Sequence, residues 1–214
     1  MNLRKHCFVL GCIIFSYTKL MCQDTIVAIA PTKMNVAYLG VDNPLTVVST
    51  IPYDSITTNN GNIQRDSLLV GNYIYSPATT GAAQISLWRN GTKFETQTFR
   101  IKRIPLPSCS ISGYSENNGT IILPKAQLVL SSGIVASPQG FDFDARWVVL
   151  GFSIAIMQDG LMHEYNASGS SFSEAMKSVM QKMNPEESLL IEQIKVRGPD
   201  GRIVAIPSVK VIVK

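Results

Sequence analysis

Beyond residue 23 the chain holds a single histidine, His163, between Met162 and Glu164 in a stretch that reads as a hairpin strand. A Ser-His-Asp triad or a zinc site with several imidazoles therefore has no support, and His163 is expected on a strand surface. The lone thiol of Cys109 follows Pro107 and Ser108 with no neighbouring base to activate it, so it reads as a small core or linker residue. Phe141-Asp142-Phe143-Asp144 could set two carboxylates on one strand face, which suggests a calcium site or an acid/base pair. Alternating Phe141 and Phe143 explain the same pattern by half-burial, and calcium needs several more oxygen ligands. Neither a phosphate-binding glycine loop nor a Gly-x-Ser-x-Gly elbow occurs. Asn90-Gly91-Thr92, Asn118-Gly119-Thr120 and Asn166-Ala167-Ser168 fit the glycosylation triplet, which matters only where that machinery exists. No catalytic, cofactor-binding or metal-binding residue is assigned. The expectation is a binding protein, not an enzyme, with no small-molecule substrate.

The chain opens with Arg4 and Lys5, an apolar stretch from Cys7 to Tyr17, and a polar break at Thr18 and Lys19. That is signal-peptide anatomy over residues 1–23, with an apolar core well short of the ~20 residues a permanent span needs. Cleavage is expected near Cys22 or Gln23. A lipid-modified Cys22, which would make the protein membrane-associated, is poorly matched by Lys19-Leu20-Met21. Cys7, Cys12 and Cys22 lie in or beside the leader, so the mature chain has no internal disulfide. Of nineteen Lys and Arg residues, Arg4, Lys5 and Lys19 belong to the leader, leaving sixteen against fifteen acids. Such a near-neutral exported chain lacks the clustered positive charge that nucleic acid or an anionic membrane would require.

From Thr25 to about Lys102 the pattern is all β. Apolar runs at Thr25–Ala30, Met34–Leu39, Leu45–Ile51, Leu68–Tyr75, Ala82–Trp88 and Lys93–Ile101 are separated by Pro, Asn and Gly. Asn90-Gly91 predicts a type I′ hairpin, because both residues tolerate positive φ. Asp42-Asn43-Pro44 supplies the chemistry of a turn. Six or seven short strands without helical period predict an immunoglobulin-like β-sandwich over residues 24–104. Pro105 and Pro107 then remove backbone donors and mark a stiff linker, and Arg100, Lys102 and Arg103 before it read as a solvated edge guarded by charge.

Residues 105–214 predict a second β-rich domain with one helix. Arg146–Ile156 turns at Gln158-Asp159-Gly160 into Leu161–Tyr165, a long hairpin. Ser171–Met183 predicts the helix, with Ser171 and Glu174 as a capping box and Phe172, Ala175, Met176, Val179 and Met183 on one face. That methionine-rich face is expected to pack on a sheet. Leu189–Val196 and Ile203–Val213 should pair through Arg197–Arg202, where Gly201 accepts positive φ.

Four segments, in order, resemble the C-terminal periplasmic region of the gliding-motility protein GldM and its secretion counterpart PorM. They are Pro31–Leu45, Phe99–Pro105, Phe141–Arg146 and Gly198–Gly201. The resemblance implies the last two periplasmic domains of a dimeric, inner-membrane-anchored shaft that links a motor to an outer-membrane-associated ring of the type IX secretion and gliding apparatus. It implies a periplasmic structural or adaptor protein, a homodimer with protein partners and no cofactor. Full-length relatives begin with a transmembrane helix and two further domains, whereas here a leader runs almost directly into the third; torque transmission from the inner membrane is then not expected. The alternative is a stand-alone cell-surface adhesion or carbohydrate-binding β module.

Overall fold

The computed structural model describes residues 34–67 and 70–214. The expected leader, its three cysteines and the Thr25–Ala30 strand lie outside the described residues, as do Leu68 and Leu69. The described chain is mainly β, with several sheets and two short helices.

The first half contains β1 (Val36–Tyr38), β2 (Asn43–Thr46), β3 (Ser55–Thr58), β4 (Asn62–Arg65), β5 (Asn72–Ser76), β6 (Gly81–Arg89) and β7 (Thr92–Lys102). Two sheets result, one ordered β1-β7-β6-β3 and one ordered β2-β5-β4. They share a core of Ala37, Tyr75, Ala83, Ile85 and Ile101, flanked by Leu39, Leu45, Ile56, Ile63 and Phe99. The hydroxyl of buried Tyr75 donates to the Asn60 carbonyl at 2.8 Å, so the ring is buried without an orphan polar group. Asn90 and Gly91 turn β6 into β7 at φ 50° and 75°, the positive values a type I′ turn demands. Two expected strands are shorter than their apolar runs: β2 stops at Thr46, and β5 begins only at Asn72, with Val70 fully in solvent. The polar strands β3 and β4 were not expected. Each sits at the edge of its sheet; β3 turns alternate residues to water and β4 exposes all but Ile63, so the apolar signal reduces to Ile56 and Ile63.

The second half contains β8 (Ser108–Ile111), β9 (Tyr114–Ser115), β10 (Thr120–Leu123), α1 (Lys125–Leu130), β11 (Val135–Ser137), β12 (Val148–Gln158), β13 (Leu161–Ser168), α2 (Glu174–Lys182), β14 (Ser188–Arg197), β15 (Ile203–Ala205) and β16 (Val209–Val213). A large sheet runs β10-β16-β14-β12-β13 with β15 added on β14, and a small one runs β11-β8-β9. The expected hairpin of β12 and β13 is present, with Asp159 and Gly160 at positive φ. Helix α2 covers the large sheet with Phe172, Met176, Val179, Met180 and Met183 buried, and Phe172 meets Phe152 edge-on at 5.8 Å.

Four details depart from expectation. Ser173, not Ser171, caps α2, its hydroxyl accepting from the Met176 N–H at 3.3 Å. Ser171 instead bridges to Gly133 through the backbone. Met180 takes the inward position expected of Ala175, which is exposed. The described residues hold two helices where one was expected: α1 precedes α2 and buries only Leu128, too short and too weakly patterned to show a period. Finally, Ile203–Val213 is two strands. Pro207 cannot donate to a ladder, β14 bends at Gln193 with φ 52°, and the Ile206 N–H donates to the Ile194 carbonyl between the two pairings.

Candidate functional site

The residues singled out for chemistry are scattered. His163 stands exposed on edge strand β13 opposite Ile156. Cys109 is sealed in β8 at 1% exposure, and burial, with a contribution from the Glu116 charge, pushes its thiol up to about 12. A thiol so placed is a poor nucleophile at neutral pH. Phe141–Asp144 is not a strand: Asp142 and Asp144 face water from an irregular segment whose two phenylalanines pack inward. A polar cleft does lie between the β12–β13 turn and the end of α2, lined by Gln158, Asp159, His163, Lys182, Asn184 and Glu187. Its Glu187 carboxylate is tied to the Asn184 backbone N–H at 2.8 Å and side-chain amide at 3.0 Å, which hold it below the usual carboxylate range. That carboxylate is committed to a local turn. Among the described residues no three His, Cys, Asp or Glu side chains gather as a metal site.

What the structure does bring together is the turn after β1. Asn43, 3% exposed, is its hub. Its Oδ1 accepts from the Tyr38 N–H at 2.7 Å, while Nδ2 lies 2.9 Å from the Tyr38 carbonyl, 2.9 Å from that of Val41 and 3.1 Å from that of Tyr75 on β5. An amide suits this set, its oxygen facing one donor and its two N–H protons shared among three carbonyls. Asp42 beside it is peripheral, accepting from the Ser76 hydroxyl at 3.3 Å in solvent.

The other side of the same turn meets the second half. Gly40, at φ 87°, lies against the Pro199-Asp200 backbone so closely that a Cβ would sit 2.5 Å from the Asp200 nitrogen. Glycine is required there twice over, by conformation and by space. Tyr38 packs edge-on against Phe141 at 4.8 Å and against Phe143 at 5.2 Å. The Asp200 carboxylate, 3% exposed, accepts from the Arg103 guanidinium at 3.0 Å and from the Arg202 backbone N–H at 3.2 Å, with the Arg202 Nε at 3.8 Å. Trp147 closes over Gly198, whose missing side chain leaves room for the ring.

Arg103 is thus an ion-pair partner, where the sequence suggested a solvated edge charge. Asn43 was legible as a turn former but not as a four-contact hub, and nothing in local sequence pairs Arg103 with a residue ninety-seven positions away. A lone acid in a Gly-Pro-Asp-Gly turn and the arginine just past the Phe99–Lys102 run are the one signal that was available. The arrangement has no group placed to transfer a proton or attack a substrate. Its chemistry is that of holding backbone segments at fixed positions.

Residues 26–102 match the GldM third domain and residues 105–214 match the GldM C-terminal domain. No curated protein sequence matches the chain. One solved structure with detectable likeness is that of the Yersinia pseudotuberculosis adhesin InvE, at 9% identity and a TM-score of 0.27, covering 85% of this chain and 57% of that one. A superposition that loose carries no functional argument. The two domain matches follow one another in order and span nearly all of residues 26–214, and the chain accordingly belongs to the GldM family of the gliding-motility and type IX secretion machinery.

Proposed function

We propose that this chain is a periplasmic structural adaptor that binds protein components of a type IX secretion or gliding complex and turns over no substrate. The reading has it exported by its 1–23 leader, folded as an immunoglobulin-like domain over 24–104 and a β-rich domain over 105–214, and self-associated as a homodimer. The ordered pair of GldM domain matches carries the proposal. The four-stranded and three-stranded sheets around one core in the first half support the immunoglobulin-like description.

Open sheet edges support protein contact. Among the described residues strand β13 pairs only with β12 and ends the large sheet, and Leu161 and Met162 at its start are two-thirds exposed. Such an edge can accept a strand from another chain through main-chain hydrogen bonds. Among the described residues no helix is long and apolar enough to cross a membrane.

Light scattering on the purified mature chain, followed by pull-down from a periplasmic extract with identification of captured proteins, tests both halves of the reading. A dimer that captures a component of the secretion or gliding apparatus is expected. A strict monomer that recovers none overturns it.

A further inference from the structure

We infer that the Leu39–Asn43 turn is a latch that couples the two halves, so that the first half cannot open without withdrawing side chains from the core of the second. The inference concerns one chain alone and stands whatever partner that chain binds.

Strand β1 feeds two cores. Ala37 and Leu39 point into the first-half core, whereas Tyr38 between them packs with the second-half cluster, and Val41 is itself a buried member of that cluster. Alternate residues of one strand face opposite sides, so a three-residue strand lies between two apolar interiors. The latch is fastened on both sides. Toward the first half, the Leu39 N–H donates to the Lys102 carbonyl at 2.9 Å and Asn43 reaches the Tyr75 carbonyl. Toward the second, Gly40 rests on the Asp200 backbone, Tyr38 on Phe141 and Phe143, and Arg103 on Asp200. Loosening β1 from β7 would expose Tyr38 and Val41 together with Ala37. A coupling of this kind acts in both directions, so damage on the second-half side must be felt in the first.

Hydrogen exchange read by mass spectrometry on the full chain tests this. Asp200→Ala lies in the second half and touches neither β5 nor β6, yet it is expected to speed exchange of amides in both strands by about tenfold or more. Gly40→Ala should do the same from the other side. Gly91→Ala is the control: Gly91 has the same positive φ, at 75°, but open space around it, so it carries the backbone strain without the contact. It should leave β5 unchanged. Should Gly40→Ala fail to fold, Asp200→Ala decides alone. Faster exchange confined to the 38–43 and 198–203 segments, or an equal response in Gly91→Ala, overturns the inference.

Discussion

Replacing Asn43 with alanine is expected to lower stability by about 3 kcal/mol, from the Tyr38 N–H left buried and unpaired at about 1–3 kcal/mol and about 1 kcal/mol for the net loss of the long-range bond to the Tyr75 carbonyl. The orphaned donor is the Tyr38 N–H, and the carbonyls of Tyr38, Val41 and Tyr75 lose their shared amide. For a chain of this size each kcal/mol moves the melting midpoint by about 2–4 °C, so a fall of about 6–12 °C should appear in calorimetry. Asn43→Asp keeps the shape and makes a sharper test. One carboxylate oxygen must then face the three carbonyls in a site 3% exposed, which favours the protonated acid in the folded state. The folded pKa is therefore raised above the ordinary value of about 3.9, and between the two values the folded chain holds a proton that the unfolded chain has lost. Stability of the Asp variant must fall as pH rises through that window, and its deficit against the parent must shrink as pH is lowered toward about 4. An Asn43→Ala midpoint within about 2 °C of the parent, or an Asp variant as stable as the parent at pH 7, would refute the hub.

Cys109 should resist maleimide in the folded chain at neutral pH and react only on unfolding; because its folded pKa, at about 12, exceeds that of a free thiol, its stability contribution is lost as pH climbs past the free-thiol range, visible as a falling denaturation midpoint above that range. Ser173→Ala should cost about 1 kcal/mol by urea titration through loss of the α2 cap, and Ser171→Ala under about 0.5 kcal/mol. Gly133→Ala should cost about 1–3 kcal/mol in the same titration, since a Cβ there runs into the Ser170 carbonyl oxygen.

Elements with a strong period were legible in the sequence. The β12–β13 hairpin carried a long alternation with turn residues between, and α2 carried apolar residues at three- and four-residue steps. Its cap was misplaced because Ser171 and Ser173 are both good N-caps, and what separates them is the backbone bridge from Ser171 to Gly133, a tertiary fact. Strands β3 and β4 were illegible for a different reason. An edge strand with a single half-buried apolar residue gives no hydrophobic alternation to detect, and its pairing is decided by the neighbour it lies against. The junction was half legible. Local chemistry marked Asp42-Asn43-Pro44 and Gly198–Gly201 as turns, but no local rule says that two turns so far apart in sequence will seat on one another.

The four segments that carry the family resemblance are the segments that meet at this junction: the β1 turn, the end of β7 with Arg103, Phe141–Arg146 leading to Trp147, and the Gly198–Gly201 turn. Each contributes by a different force. Asn43 supplies hydrogen bonds, Phe141 and Phe143 supply aromatic packing, Arg103 and Asp200 supply a charge pair, and Gly40 and Gly198 supply the absence of side chains that would hold the surfaces apart. A catalyst must fix a few atoms around a substrate, whereas a scaffold must fix the position of one sheet system against another. Residue types that look idle when searched for nucleophiles, bases and metal ligands are those such a task needs: an amide that reaches four backbone groups at once, a glycine where no Cβ fits, a buried acid for a half-exposed arginine. For the partner contact proposed above, the edge strand β13 is the surface to test first, because the side chains of the junction are already engaged with one another within the chain.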